Sequence, residues 1–332
     1  LAYEFARLNQ HKLAQDYCIQ AIDSDKDNID ARINLGISQL GCRNFTEGWT
    51  NLLFLKKKFG TYSKLDDSLP LWNGKSNTSR VLIYLDQGVG DQIFYGQLLS
   101  AILSHKNSFT IISDKRLADI YKKVLPVNFS FTTAEQANPI NDNFDCYCSG
   151  IDLGKLFIQS PDDLINLNKL TLVTRKPIAK SNCLTGISWF SKNSKFGLEK
   201  SLDLDTLIQH LGPTRRHFVN LQYGNFTKEL TKAMSKHNVS IDGIKSDNLN
   251  NLDQLMETLA SCNHVITISN TTAHLAGAMG VKTTLLLPSN HQCHSWYWSL
   301  VDNSNCSLWY PSVEVHQARL GESIAQVLKT IA

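Results

Sequence analysis

The stretch Ile83-Tyr84-Leu85-Asp86-Gln87-Gly88-Val89-Gly90-Asp91-Gln92-Ile93 decides how the chain is read: an apolar run breaks at a glycine-bearing turn, then resumes past an acidic residue with helical spacing. Gly88 and Gly90 allow a tight turn and let a ligand approach the main chain. Asp91 falls at the start of a helix whose apolar face is Ile93, Leu98 and Leu99. Gln87, Gly88 and Gly90 are therefore a candidate ligand loop. The same spelling also suits a plain strand-to-helix turn with an aspartate cap, so its meaning depends on what surrounds it.

Around it, strands alternate with helices, the mark of parallel sheets covered on both faces. The pattern predicts strands at Val81–Leu85, Phe109–Ile112 and Phe129–Phe131, with helices near 91–104 and 115–124. A polar stretch, Thr174-Arg175-Lys176-Pro177-Ile178-Ala179-Lys180, precedes a second series. Its strands are expected at Leu184–Trp189, His217–Gln222, Val239–Ile241, His264–Ile268 and Thr283–Leu287. Its helices are expected near 203–211, 226–236, 251–261, 271–279 and 321–331. Two such halves would leave a cleft between them, with ligands beyond the carboxyl ends of the strands.

Before residue 57 the chain is helical in pattern, with Leu1, Phe5, Leu8, Leu13, Cys18 and Ile22, then Ala31, Leu35 and Leu40, at helical spacing. A shift of about 34 residues aligns Leu1-Ala2 with Leu35-Gly36 and Ala14 with Gly48, small residues where paired helices approach closely. This resembles the tetratricopeptide repeat, although Leu55 stands opposite Ala21 and Lys26 takes the usual proline's place. A repeat cannot bury its apolar face alone, so further repeats upstream of Leu1 are expected. Residues 57–79, with Pro70 and Gly74, read as a linker or extended arm.

The 332 residues suffice for two or three domains of roughly 100–200 residues each. No apolar run of about 18 residues suggests a membrane span, so a soluble protein is expected. The net charge is +3, and the basic residues are scattered rather than gathered with aromatics, which argues against a nucleic-acid partner. Eight cysteines, Cys146 and Cys148 among them, form no Cys-x-x-Cys pairs, so neither a zinc site nor a disulfide framework is expected. Reduced thiols fit a cytoplasmic location.

In the second half, His264-Val265-Ile266-Thr267-Ile268-Ser269-Asn270-Thr271-Thr272-Ala273-His274 runs from a buried strand into hydroxyl and amide side chains at a helix start. Free N–H groups and the helix dipole favour a phosphate there, and Ser269, Asn270, Thr271 and Thr272 add donors. The plainer reading is that Ser269 or Asn270 only caps the helix, and that His274 only satisfies a carbonyl. A third candidate is Gly186-Ile187-Ser188-Trp189 leading into a loop with Lys192, Lys195 and Lys200, any of which could neutralise a phosphate or simply face solvent.

Taken together, Trp72-Asn73-Gly74, Asp86-Gln87-Gly88-Val89-Gly90-Asp91, Gly186-Ile187-Ser188-Trp189, Asn220-Leu221-Gln222-Tyr223-Gly224, Ser269 to Gly277 and Leu308-Trp309-Tyr310-Pro311-Ser312 resemble one family. It is the tetratricopeptide-repeat proteins carrying a glycosyltransferase domain of the GT-B type, akin to family 9 heptosyltransferases and, more distantly, O-linked N-acetylglucosamine transferases. The resemblance implies an α/β fold with two Rossmann-like domains in a GT-B arrangement, preceded by a tetratricopeptide-like helical segment. The divisions would be 1–56 helical repeats, 57–79 linker, 80–175 acceptor domain and 181–332 nucleotide-sugar domain.

The resemblance further implies inverting, metal-independent sugar transfer, hexosyl or heptosyl, without a cofactor. Asp91 matches the family's general base, although a helix N-terminus that favours its carboxylate also weakens it as a base. Ser188, Lys192, Lys200, Gln222, Ser269, Asn270, Thr271, Thr272 and His274 would bind the nucleotide-sugar donor. The acceptor would be a protein, peptide or glycan, which the repeats could present.

Two departures stand out: Ser269-Asn270 replaces the family's Asp-Thr, and His291 to Trp298 replaces Asp-Trp-Arg-Trp. The latter has the composition of a soft metal site, but Trp296 and Trp298 more simply line the cleft or pack beneath it. A non-catalytic repeat scaffold that binds nucleotide sugars is the alternative function. A dinucleotide oxidoreductase fits poorly, because Ile93 stands where Gly-x-Gly-x-x-Gly needs its third glycine.

Overall fold

The computed structural model describes the chain apart from residues 8–9, 60–68, 86, 138–142, 168–169, 175–183, 195–196, 213, 215–216, 290–295, 303 and 332. It divides into two compact units, Leu1–Thr171 and Leu172–Ala332.

The first unit begins with α1 (Ala2–Arg7), α2 (His11–Ser24), α3 (Ile29–Gly41), α4 (Phe45–Leu52) and α5 (Phe54–Phe59). The side chain of Asn28 caps α3 by accepting from Ala31 N at 2.9 Å. Cys18 and Ile22 of α2 pack on Ala31 and Leu35 of α3. Between α3 and α4 the backbones nearly touch, since a Cβ on Gly36 would lie 2.6 Å from Leu52 N and 2.8 Å from Gly48 O. Glycine is required there by the close approach, as the aligned small residues suggested.

A four-stranded parallel sheet follows, in the order β3-β2-β1-β4, made from β1 (Arg80–Tyr84), β2 (Ser108–Ile112), β3 (Phe129–Thr132) and β4 (Cys146–Ser149). Its helices are α6 (Val89–Gly96), which tightens into a 3-10 turn at Gln97–Ile102, α7 (Lys115–Tyr121), α8 (Gly150–Phe157) and α9 (Pro161–Asn166). The sequence pattern passes over β4 and α8. All four residues of β4 are buried, so the strand shows no polar alternation to reveal it. Part of the presumed linker lies along this strand: Trp72 N donates to Tyr147 O at 2.8 Å, and Tyr147 N donates to Pro70 O at 3.0 Å. That pairing covers the edge of β4.

The helices share the unit with this sheet. Trp49 of α4, fully buried, donates its indole N–H to Ile158 O at 2.9 Å. Its ring occupies the space a side chain at Gly154 of α8 would need, 2.6 Å from that Cβ position. Lys56 of α5 reaches Asp152 of α8 at 2.6 Å, an ion pair almost wholly out of water.

The second unit is a six-stranded parallel sheet in the order β10-β9-β8-β5-β6-β7. Its elements run β5 (Thr185–Ser188), α10 (Gly197–Lys200), α11 (Leu204–Leu211), β6 (His217–Asn220), α12 (Thr227–His237), β7 (Ser240–Asp242) and α13 (Leu252–Ser261). They continue with β8 (His264–Ile268), α14 (Thr271–Ala278), β9 (Thr283–Leu287), a 3-10 turn at Trp296–Trp298, β10 (Val313–Gln317) and α15 (Ile324–Val327). Ile187, Leu207, Ile208, Phe218, Ile266 and Leu286 anchor its core. The strand β10 goes beyond the sequence expectation, and the helix foreseen at 321–331 is only α15 with a 3-10 turn at Leu328–Thr330. Among the described residues no helix is long and apolar enough to cross a membrane.

Candidate functional site

Each sheet reverses its winding at one place, and open parallel sheets bind ligands at such points, outside the carboxyl ends of the strands. In the first unit the reversal lies between β1 and β4, where Leu85, Gln87 and Gly88 and the turn at Ser149 emerge. The backbone of that loop differs from the sequence expectation. Gln87 takes the left-handed conformation, φ 70°, whereas Gly88 is extended with φ −75°. At Gly88 a Cβ would come within 3.2 Å of Asp91 Oδ2, a tight contact that only a small shift of that carboxylate would relieve. Gly90 sits within the first turn of α6. Gln92 holds the strained residue in place: its Nε2 donates to Gln87 O at 3.3 Å while its Oε1 accepts from Asp114 N at 2.7 Å. Asp86 lies outside the described residues.

Two carboxylates stand at these helix starts. Asp152 Oδ2 accepts from Ser149 N and Ser149 Oγ, both at 2.7 Å, and pairs with Lys56 Nζ. It is 2% exposed, so burial and pairing remove it from proton-transfer chemistry with an incoming group. Asp91 is half-buried and accepts from Gly88 N at 3.2 Å, which makes it the cap of α6. Of the two, only Asp91 retains exposed surface for a reacting partner.

In the second unit the reversal lies between β5 and β8. A buried polar chain ties the strand ends together there. Asn270 Nδ2 donates to Ser188 Oγ at 2.8 Å, and Ser188 Oγ donates to Gln222 Oε1 at 3.1 Å. Gln222 Oε1 also accepts from Trp189 N at 2.9 Å and Phe190 N at 2.8 Å, while its Nε2 donates to Phe190 O and Tyr223 O. Gln222 is fully buried and its amide is used up by the turn after β5. Ser188 likewise spends its only proton on Gln222 while accepting from Asn270. These two residues shape the site rather than offer hydrogen bonds to a ligand.

Asn270 is the cap of α14, its Oδ1 accepting from Ala273 N at 3.3 Å. The first-turn amides of Thr271 and Thr272 point past that cap, as at any helix start. Thr271 and the nearly buried Thr272 have hydroxyls without a protein partner among the described residues. Ser269 Oγ accepts from Trp298 Nε1 at 3.0 Å. His274 is fully enclosed, with Nδ1 3.1 Å from Tyr310 Oη and its ring packed at a 34° tilt against Trp298. Burial, aided by the positive charge of Lys200, lowers its pKa to about 3, so it is neutral at physiological pH.

The small residues of α14 serve this arrangement. A Cβ at Gly277 would lie 2.6 Å from Tyr310 Cγ, so glycine lets Tyr310 come against the helix and meet His274. Lys192 is exposed, with its Nζ near Gly224, and its N donates to Tyr223 Oη at 2.6 Å. Lys200 is half-buried in α10, close enough to oppose protonation of His274. Lys195 lies outside the described residues, as do His291, Cys293 and His294. Trp298, expected to line the cleft or pack beneath it, and Tyr310, named only within the Leu308 to Ser312 stretch, complete the site through His274 and Ser269. Their only sequence signal is the clustering of aromatics after β9.

No protein-family model matches the chain. It is 26% identical over 280 residues to protein FlbA of Caulobacter vibrioides, an alignment covering 73% of this chain and 44% of FlbA. The chain therefore spans less than half the length of that relative. Among solved structures, it resembles a family 9 glycosyltransferase from Veillonella parvula at 12% identity and a TM-score of 0.49, covering 78% of this chain and 98% of that one. The Escherichia coli ADP-heptose LPS heptosyltransferase II aligns at 11% identity with a TM-score of 0.47, covering 76% and 97%. An O-GlcNAc transferase from Thermobaculum terrenum aligns over 99% of this chain and 88% of its own, at 12% identity and a TM-score of 0.35.

Proposed function

We propose that this chain is a glycosyltransferase of the GT-B type that moves a hexosyl or heptosyl group from a nucleotide-sugar donor to an acceptor hydroxyl with inversion. One observation carries the reading. At the winding reversal of the second sheet, a hydrogen-bonded scaffold of Gln222, Ser188 and Asn270 holds Ser269, Thr271 and Thr272 around the start of α14. Neutral donors at a helix N-terminus suit a diphosphate.

In this reaction Asp91 takes the proton of the acceptor hydroxyl as its oxygen bonds to the anomeric carbon. The bond from that carbon to the diphosphate oxygen breaks, and its electron pair leaves with the nucleoside diphosphate. The amides and hydroxyls at the start of α14, with Lys200 nearby, stabilise that charge in the role a metal plays elsewhere. A protein, peptide or glycan acceptor would meet Asp91, and helices α1–α5, read as tetratricopeptide-like, could present it. The reading places the reaction in the cytoplasm.

Thermal-shift measurements with uridine, guanosine, adenosine and thymidine diphosphates and their sugars test it. One of them should raise the melting temperature, since a ligand bound only by the folded state stabilises it. A flat response to all would sink the donor site. The alternative, a nucleotide-sugar-binding scaffold without transfer, draws on the use of Asp91 as a helix cap. It predicts donor binding with no turnover.

A further inference from the structure

We infer that Trp298 is a positioning residue which turns the Ser269 hydroxyl to donate toward the diphosphate, an inference that rests on the donor-site reading above. An indole N–H can only donate, so at 3.0 Å it takes one of the two lone pairs of Ser269 Oγ and keeps the hydroxyl proton away from the indole. The serine is then left with its own O–H to place. Ser269 is 5% exposed and has no other partner among the described residues. A buried hydroxyl proton without an acceptor is costly, and a phosphate oxygen, which only accepts, removes that cost.

The indole cannot swing away from this duty. His274 packs on it with ring centroids 4.7 Å apart, Tyr297 meets it edge-on at 5.4 Å, and Tyr310 packs at 5.7 Å. His274 is itself held by Tyr310. The indole thus excludes one direction for the Ser269 proton before any ligand arrives, which lowers the ordering cost of binding. The site accordingly favours a group that presents bare acceptor oxygens at Ser269.

Calorimetric titration of the full chain with inorganic pyrophosphate and with the nucleoside diphosphates tests this. Trp298→Phe keeps the ring against His274 and deletes the N–H. It should weaken binding about three- to tenfold, the scale of one hydrogen bond. Ser269→Ala should weaken it at least as much, Ser269→Thr should retain it, and adding Trp298→Phe to Ser269→Ala should cost nothing further. Unchanged affinity in Trp298→Phe, or an equal loss in the Ser269→Ala background, would overturn the role of Trp298 while leaving the donor site standing. Should Trp298→Phe fail to fold, the comparison of Ser269→Ala with Ser269→Thr decides, equal affinities overturning the inference. A wild-type chain that binds none of these probes removes the donor site and this role together.

Discussion

At the scale of single residues, His274 carries the clearest pH dependence. Its folded pKa of about 3 lies below the ordinary imidazole value of 6.5, so between these values the unfolded chain binds the extra proton. Its contribution to stability is therefore complete above pH 6.5 and is lost as pH falls toward 3, at up to about 1.4 kcal/mol per pH unit. Urea midpoints measured across this range should fall less steeply in His274→Gln than in the wild type; parallel profiles would refute the assignment. Asp91→Asn should abolish transfer and preserve donor affinity, since the amide oxygen can still accept from Gly88 N and hold the cap. Retained turnover would remove Asp91 from the reaction. The stretch around Asp91 was legible as a strand, turn and helix, but the identity of its strained residue was not. Side-chain preference points to a glycine for positive φ, and tertiary clamping by Gln92 places Gln87 there instead. Likewise the donor-rich composition near 270 was readable, whereas the division between saturated and available donors depends on which atoms pair.

At the scale of elements, close approach governs α14. Gly277→Ala places a methyl 2.6 Å from the Tyr310 ring carbon, and the crowding should cost about 1–3 kcal/mol. Thermal melts would show the loss. If Tyr310 is displaced, the bond to His274 Nδ1 goes with it, so diphosphate affinity should fall as well. An alanine variant as stable as wild type would mean that α14 and Tyr310 do not pack this closely. Strands β8 and β9 lie where their apolar runs predict, because strands buried on both faces spell themselves as continuous hydrophobic stretches. The strand β4 escaped the same logic, since Cys146-Tyr147-Cys148-Ser149 is buried without being a run of branched aliphatics. Its cysteines bear only on zinc and disulfide chemistry, which their spacing argues against.

At the scale of the whole molecule, helices α1–α5 belong to the first sheet's unit, tied to it by a hydrogen bond, an aromatic contact and a buried charge. Lys56→Met leaves Asp152 uncompensated in the interior and should cost about 3–5 kcal/mol. The double variant Lys56→Met with Asp152→Asn should recover part of that loss, as read from denaturant midpoints. No recovery would show that Lys56 acts through packing rather than charge. The alternation of strands and helices made the two α/β halves readable from sequence. The anchoring of the helices to α8 was not, because Trp49 and Gly154 lie far apart in the chain and neither is unusual alone. This anchoring has a consequence for descent. A recombination event with its crossover near residues 57–79 would take Trp49 and Lys56 from one parent, and Gly154 and Asp152 from another. Such chimaeras should lose stability unless both parents carry the matching set, so the helices and the first sheet are expected to pass on as one module.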